Sequence, residues 1–358
     1  MAYTTIDDPS AHFQTTLYTG NGSANLAITN GGNSDLQPDL VWIKNRTTGT
    51  TDSHCLFDSS RGATKLLSSD TSGNEATDAD TLDSFASDGF QVDADVKVNT
   101  NTETYVAWQW KANGGTTTAG GGDDTVSTST YQANTTAGFS VVTYTGTGSA
   151  ATVAHGLGVA PQVVLVKSLD GTGKSWDMYH ASVDETDAAQ LDTNAAFYDS
   201  ASYWNDTAPT SSVFTVGTSS ETNGSGKLHV AYCWAPIQGY SKFGTYTGNN
   251  NASGPFVYLG FKPAFLMFKR TSGTEDWGIV NIESSPRAAG TKTNDMAYEL
   301  EADTTGAEAN QIDFWFLSNG FKIDGSGNFA NGDGEKYVYM AFAENPFVTS
   351  EGVPCTAF

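Results

Sequence analysis

Short apolar runs separated by turn residues recur along the whole chain. Residues 40–43, 163–166 and 265–268 are continuous apolar runs, a pattern typical of strands buried on both faces. Residues 139–144 (Phe-Ser-Val-Val-Thr-Tyr) are closer to alternation, which is typical of a strand with one buried face. Gly, Asn and Ser cluster between the runs, as turns require. The pattern predicts an all-β protein of the sandwich or jelly-roll type.

The same series of features occurs three times, which indicates an internal repeat. Each copy begins with Tyr-Thr-Gly, which is followed by a proline and then by an apolar run that ends in lysine. A second strand comes next. The copy ends with a strand that contains Phe and then a strand rich in aromatic residues. The matched positions are, copy by copy, Tyr18, Pro38, Lys44, His54, Phe90, Tyr105 and Ala107; Tyr144, Pro161, Lys167, Trp176, Phe214, His229 and Ala231; and Tyr246, Pro263, Lys269, Trp277, Phe321, Tyr339 and Ala341.

These matches predict three tandem, divergent β-sandwich (jelly-roll-like) domains. Their expected bounds are residues 1–112 (repeat 1), 137–237 (repeat 2) and 238–358 (repeat 3). Residues 113–136 are rich in Gly and Thr and are expected to be a flexible linker. We therefore expect separate cores, with repeat 1 able to fold alone. The connection between repeats 2 and 3 is short, so those two are expected to pack closely.

The charge balance excludes two classes of partner. Seventeen basic residues face forty acidic ones, for a net charge of -23, whereas nucleic-acid binding needs a concentrated basic face. The same surplus repels anionic membranes, and no apolar run reaches the roughly 20 residues of a membrane helix. The start of the chain lacks the basic and apolar segments of a signal peptide, which predicts synthesis in the cytoplasm. The three cysteines (Cys55, Cys233 and Cys355) do not form a disulfide framework.

Motifs for catalysis are weak, and the sequence predicts a protein that is not an enzyme. Residues 171–175 (Gly-Thr-Gly-Lys-Ser) resemble part of a phosphate loop, but Ser168 stands where the first Gly is needed, so a hairpin turn is expected. The histidines are scattered without ligand spacing, and His229 is expected to line a strand. Glu299 and Glu301 are one of the many carboxylate pairs that an acidic surface produces.

One loop has the spacing of a calcium site. Asp324, Ser326, Asn328 and Glu335 occupy positions 1, 3, 5 and 12 of a calcium-binding loop. However, Phe329 stands where such a loop needs Gly for its sharp turn, and strands flank it rather than helices. We therefore expect no cofactor, with calcium at these four residues as the alternative.

A polar-aromatic stretch in repeat 2 has no equivalent in the other copies. Tyr198, Tyr203, Trp204 and Asn205 combine flat apolar rings with polar edges, as sugar-binding surfaces do. They are the candidate glycan-binding residues. The alternative is that Tyr203 and Trp204 fill an interface between domains.

With these motifs in view, the chain resembles repeat-domain virion proteins of tailed, mostly marine, bacteriophages, of the tail-fibre or host-attachment type. The residues that carry the resemblance are 2–14, 139–146, 155–158 and 161–167. The resemblance implies a virion component, assembled in the cytoplasm of the bacterial host beside other virion proteins. It brings no catalytic residues. The chain departs from a complete fibre because it has no heptad shaft.

Three functions follow as hypotheses. The first is a tail-fibre or tail-appendage protein that binds host surface glycan, and the second is a capsid decoration or connector protein with no ligand. The third is a polysaccharide depolymerase. A homotrimer is expected because closed rotational symmetry is the usual form of homo-oligomers, although three copies in one chain could supply a threefold shape without any partner.

Overall fold

The computed structural model describes residues 2–126, 128–283, 294–311 and 313–355. Strands dominate these ranges, and the prediction of an all-β protein is confirmed. The helices in them are single turns: a 3-10 turn at Pro9–Ala11, α1 (Val96–Asn99), α2 (Ala201–Trp204) and α3 (Ser220–Asn223). None of these helices has the length or apolar character needed to cross a membrane.

Repeat 1 contains a four-stranded sheet, a three-stranded sheet and a two-stranded ribbon. The strand order is β1-β9-β3-β4 in the first and β2-β8-β7 in the second, while β5 pairs with β6. The strands are β1 (Phe13–Thr19), β2 (Leu26–Ile28), β3 (Leu40–Asn45), β4 (Cys55–Asp58), β5 (Lys65–Leu66), β6 (Ala76–Thr77), β7 (Leu82–Ala86), β8 (Gly89–Val92) and β9 (Thr104–Trp110).

Repeat 2 and the segment before it form an eight-stranded sheet and a two-stranded sheet. The order is β10-β11-β12-β19-β14-β15-β16-β17 in the first, and β13 pairs with β18. The strands are β10 (Thr118–Ala119), β11 (Thr130–Asn134), β12 (Phe139–Thr145), β13 (Ala151–Ala154), β14 (Val163–Ser168), β15 (Trp176–His180), β16 (Asp187–Gln190), β17 (Tyr198–Asp199), β18 (Val213–Val216) and β19 (Leu228–Trp234). Residues 171–175 connect β14 to β15, so the expected hairpin turn is confirmed.

Repeat 3 contains a five-stranded and a four-stranded sheet. Their orders are β20-β28-β22-β23-β25 and β21-β27-β26-β24. The strands are β20 (Ser241–Thr247), β21 (Ser253–Tyr258), β22 (Phe261–Arg270), β23 (Gly278–Asn281), β24 (Asp295–Met296), β25 (Leu300–Glu301), β26 (Asp313–Leu317), β27 (Gly320–Asp324) and β28 (Lys336–Pro346).

The main sheets of the three repeats have the same strand order. In each, the closing strand lies between the opening strand and the strand that ends in lysine, as β1-β9-β3-β4, β12-β19-β14-β15 and β20-β28-β22-β23. All these pairs are antiparallel. The common order supports the interpretation of the chain as three copies of one unit.

The register corrects the expected alignment of the last strand of repeat 3. Tyr18 pairs with Tyr105, Tyr144 with His229, and Tyr246 with Tyr337. Tyr337 is therefore the equivalent of Tyr105 and His229, and Tyr339 stands at the position of Ala107 and Ala231. The alignment that used Tyr339 and Ala341 was wrong by two residues. A shift of two keeps every side chain on the same face of a strand, so the apolar pattern could not reveal it.

Each main sheet has an outer face covered by its own smaller sheet. In repeat 1 the buried side chains of Val41, Ile43 and Ala107 pack with Phe90 and Val92 of the smaller sheet. In repeat 2 the equivalent cluster joins residues of β12, β14 and β19 to residues of β13 and β18. These clusters explain one of the two buried faces that the apolar runs indicate.

The inner faces of the three main sheets meet in one shared core. Phe13 stacks on Phe342 with 5.2 Å between ring centroids, and Trp110 lies 6.1 Å from Trp234 and 5.8 Å from Phe265. A void of only about 10 Å³ remains among side chains from all three repeats. The expectation of separate cores was therefore wrong, because the second buried face of each lysine-ended strand faces the other repeats rather than its own domain.

Equivalent hydrogen bonds cross each contact between repeats, which we call seams 1/2, 2/3 and 3/1. The Trp176 indole N–H donates to the Ser68 carbonyl at 2.7 Å, and the Trp277 indole N–H donates to the Gln190 carbonyl at 3.0 Å. His54 Nε2 lies 2.9 Å from the Glu301 carbonyl at the equivalent place in seam 3/1. The three seams therefore follow one another cyclically around the core.

Candidate functional site

The predicted glycan-binding residues do not form one exposed surface. Trp204 ends α2 with 2% of its surface exposed, and it packs edge-on against Tyr179 at 6.0 Å within the outer core of repeat 2. The prediction that Trp204 stacks on a sugar was therefore wrong, since a buried ring presents no face to a ligand. Trp204 also does not fill a seam, because its neighbours belong to its own repeat. Asn205 is exposed and lies in the left-handed region at φ 52.

Tyr198 and Tyr203 remain half-buried and lie together. Their rings make an edge-on contact at 5.6 Å. Near them is Asp177 on β15, which is fully buried. Burial raises the pKa of Asp177 well above its usual range, and nearby Glu221 raises it further. The pair of tyrosines thus lies near a buried carboxyl group in repeat 2.

One of the four predicted calcium ligands, Glu335, is already engaged in other contacts. Both oxygens of Glu335 face Arg270, with Oε1 at 2.8 Å from Nη2 and Oε2 at 3.1 Å from Nε, and Oε2 also accepts a hydrogen bond from Ser272. Asp324 ends β27, while Ser326 and Asn328 lie in the following turn. Among the described residues no group of three or more Asp, Glu, His or Cys side chains could hold a metal ion. Calcium at this loop stays a prediction.

The lysines at the ends of β3, β14 and β22 are fully buried next to the seams. Lys44 Nζ donates to the Thr305 carbonyl of repeat 3 at 3.0 Å, and Lys167 Nζ donates to the Ser72 carbonyl of repeat 1 at 3.3 Å. Burial lowers the pKa of Lys167 to about 8, and burial likewise lowers that of Lys269 to about 8. Lys44 and Lys167 therefore help to hold neighbouring repeats together, whereas Lys269 donates to the Arg270 and Gly273 carbonyls of its own repeat.

A half-buried carboxylate accompanies each lysine and was missed in the sequence. Asp70, Asp192 and Asp303 accept hydrogen bonds from the backbone N–H groups of His54, Trp176 and Trp277 at 2.9, 3.0 and 2.9 Å. Burial raises the pKa of all three and brings that of Asp303 to about 7. Acidic residues are so frequent in this chain that their position alone gave no signal.

A strand from the predicted linker occupies seam 1/2. β11 pairs antiparallel with β12, from Thr130 opposite Thr143 to Asn134 opposite Phe139. Gln132 is 1% exposed and donates to the Ser59 and Ser60 hydroxyls of repeat 1 at 2.8 and 2.7 Å. Residues 113–136 are thus not simply a flexible connection. The alternation of polar and apolar residues in β11 was the available signal, but the surrounding Gly and Thr concealed it.

An open cleft of about 430 Å³ lies at the equivalent place in seam 3/1. One wall belongs to repeat 1 and consists of residues 13–17 of β1 together with residues 10, 29 and 31–33. The other wall belongs to repeat 3 and includes Ala264, Ile282 and residues 343–345. Ile282 follows β23 as Ser59 follows β4, so this wall corresponds to the part of repeat 1 that Gln132 contacts. The cleft is therefore the counterpart of the space that β11 fills.

The edge of β1 that borders the cleft carries backbone groups to which no strand of the described ranges bonds. In an antiparallel pair, hydrogen-bonded and non-hydrogen-bonded positions alternate. The Gly20 N–H donates to the Glu103 carbonyl, and the Lys111 N–H donates to the His12 carbonyl, so residues 12, 14, 16, 18 and 20 bond to β9. Phe13, Thr15 and Leu17 then direct their N–H and C=O groups to the other edge, where no strand pairs in the described part of the chain.

The comparisons with known proteins identify a family. Residues 8–346 match a domain of unknown function, DUF7483. The chain belongs to this family. The match spans all three repeats, in agreement with the core that they share. A search of curated proteins found no match to the chain.

Proposed function

We propose that this chain is a non-enzymatic structural protein on the surface of a tailed-phage particle, where it acts as a connector or decoration protein. The resemblance of residues 2–14 and 139–146 to phage virion proteins supports a location on the phage particle. The feature that supports the connector role is the edge of β1 beside an open cleft, with which no strand of the described residues pairs. A rigid body with a single shared core is suited to transmitting contacts between neighbouring subunits.

We also infer that each repeat is a jelly-roll-like β-sandwich within the bounds given above. The support is the pairing of a larger and a smaller sheet across a buried cluster in repeats 1 and 2. In this interpretation the three sandwiches pack around one shared core and do not form independent domains.

Host attachment through glycan is the second candidate function. It is supported by Tyr198 and Tyr203, whose rings are partly exposed and lie edge-on beside exposed Asn205. Without Trp204, this surface offers a smaller apolar face to a sugar. The connector role is therefore preferred.

Immunogold labelling of particles of the phage that encodes the chain tests the proposal, with binding of the purified protein to host cells measured in parallel. We expect a regular pattern of label on the particle and no binding to host cells. Binding to cells that the Tyr203→Ala variant loses would instead support attachment. Absence of label from intact particles would contradict both virion functions.

Two further properties are tested with the same purified protein. We expect no oligosaccharide to be released from host polysaccharide, and release would support a depolymerase. The proposed homotrimer is tested by sedimentation, in which a mass equal to one 37.8 kDa chain would contradict it.

A further inference from the structure

We propose that the cleft in seam 3/1 binds an extended segment of a partner polypeptide, which adds to β1 as an antiparallel strand. The partner segment carries amide and hydroxyl side chains and no carboxylates. The inference deepens the proposed connector role and rests on it for the source of the segment.

The first argument is the precedent inside the chain. The equivalent edge of repeat 2, on β12, is occupied by β11 along Thr130–Asn134. The backbone groups that β12 uses for this pairing are those of Phe139, Val141 and Thr143. The same positions in β1 are Phe13, Thr15 and Leu17. Unpaired strand edges recruit further strands, and peptide recognition often uses this mode.

The second argument is that the cleft has the form of a strand-binding site. Its β1 wall is five residues long, which is about 16 Å at roughly 3.3 Å per residue, and this length matches that of β11. The Thr15 hydroxyl in this wall is buried and has no hydrogen-bond partner among the described residues. The incoming strand would supply polar groups to this hydroxyl and to the backbone of β1.

The third argument concerns the charge of the occupant. Glu283 and Glu344 line the cleft, and Glu344 pairs with Lys262 at 2.7 Å. The chain as a whole carries a net charge of -23. An acidic segment would be repelled by these carboxylates, whereas Gln, Asn, Ser and Thr side chains carry no charge that is repelled. In seam 1/2, Gln132 of β11 makes this kind of contact with hydroxyls.

The test uses a synthetic peptide with the sequence of residues 128–136 and the full-length protein. Hydrogen exchange followed by mass spectrometry measures the protection of residues 13–19 at peptide concentrations up to about 1 mM, at which a Kd of about 0.1 mM or tighter slows exchange about tenfold. We expect exchange in this segment to slow at least tenfold. A peptide in which Pro replaces Gln132 is the control, since it lacks an N–H in the middle of the ladder.

Two variants of the protein locate the binding. Leu17→Pro removes an outward N–H of β1 without breaking a bond to β9, and proline is tolerated on such edges. Thr245→Pro makes the same change at the equivalent position of β20, which does not line the cleft. We expect Leu17→Pro to abolish the protection and Thr245→Pro to leave it intact.

Unchanged exchange of residues 13–19 at saturating peptide would overturn the inference, and so would protection that Leu17→Pro does not affect. These outcomes are independent of particle labelling. Protection of β1 combined with unlabelled particles would keep the binding site and reject the virion function. Labelled particles combined with unprotected β1 would reject the strand site alone.

Discussion

Single asparagines hold the Tyr-Thr-Gly turn of every repeat. Asn223 accepts a hydrogen bond from the Thr147 N–H at 2.7 Å, and it donates to the carbonyls of Ser149 and Gly217, each at 2.7 Å. Asn99 and Asn331 make the same three contacts in the other repeats. All three are fully buried. Their common position, five residues before the closing strand, was visible in the sequence but could not be separated from the many turn asparagines.

Replacing Asn99 by Ala is expected to destabilise the fold. The change leaves the Asn21 N–H and the Ser23 and Asp93 carbonyls without a partner, at a cost of about 2–3 kcal/mol in the free energy of unfolding. Urea unfolding measures the loss. Asn101→Ala, two residues further along and exposed, is the matched control and is expected to change stability by less than about 0.5 kcal/mol. Equal losses for the two variants would contradict the role of Asn99.

The buried His180 is expected to make stability fall in mild acid. Its Nδ1 accepts from the Ser182 N–H, its Nε2 donates to the Tyr339 carbonyl across seam 2/3, and burial lowers its pKa to about 4. Between about pH 4 and 6.5 the unfolded chain binds a proton that the folded chain does not, so stability decreases as the pH falls through this window, by up to roughly 1.4 kcal/mol per pH unit.

The contribution of His180 is measured as a difference in slope. Asp303, whose pKa is raised to about 7, acts in the opposite direction, and His229, whose pKa is about 4, acts in the same direction. Both contribute equally to the native protein and to the His180→Gln variant. Urea unfolding at several pH values is expected to give a shallower pH dependence for the variant. Parallel curves would show that His180 does not titrate as its burial predicts.

At the level of strands, the repeats differ in how they fill one equivalent place. Ala107 and Ala231 occupy the middle of the closing strands in repeats 1 and 2, and Tyr339 occupies it in repeat 3. Gly244 provides the space for Tyr339, since a Cβ there would lie 2.7 Å from the Tyr339 hydroxyl. Gly278 makes room for Phe268, which is paired with Tyr339, since a Cβ at Gly278 would lie 2.3 Å from the Phe268 ring. The strands were predictable from their apolar runs, but such compensations depend on neighbours that are distant in sequence.

Leu at Ala107 or Ala231 is expected to overpack the outer core of its repeat. Both alanines are fully buried, so each larger side chain should cost about 1–3 kcal/mol in the free energy of unfolding. The exposed strand residue Ala76 is the control, and Ala76→Leu is expected to cost less than about 0.5 kcal/mol. Thermal unfolding of the three variants measures the effect. A native-like melting temperature for Ala107→Leu would contradict the close packing of β9.

At the level of the whole molecule, the sequence predicted three copies of one unit but did not predict that they share one hydrophobic core. The apolar runs indicated two buried faces for each lysine-ended strand, yet nothing in the pattern of Trp42 or Leu165 says whether the second face meets another sheet of the same repeat or another repeat. The predicted glycan surface was wrong at Trp204 for a related reason. Whether this side chain is buried depends on how α2 packs against the rest of repeat 2, and the local sequence does not specify that packing. The cleft beside the edge of β1 could not be predicted from the sequence either, because it arises where repeat 1 and repeat 3 meet, and these repeats are far apart in the chain.

The shared core is the central claim, and site-resolved unfolding tests it most directly. Trp108, Trp234 and Trp277 are buried reporters of repeats 1, 2 and 3. With 5-fluorotryptophan incorporated, ¹⁹F NMR follows each ring separately through a urea titration. Because the inner faces of the main sheets cover one another, we predict that the folded signals of all three disappear at the same urea concentration, as in a two-state transition. Separate midpoints, with the Trp108 signal persisting after those of Trp234 and Trp277 are lost, would contradict a common core.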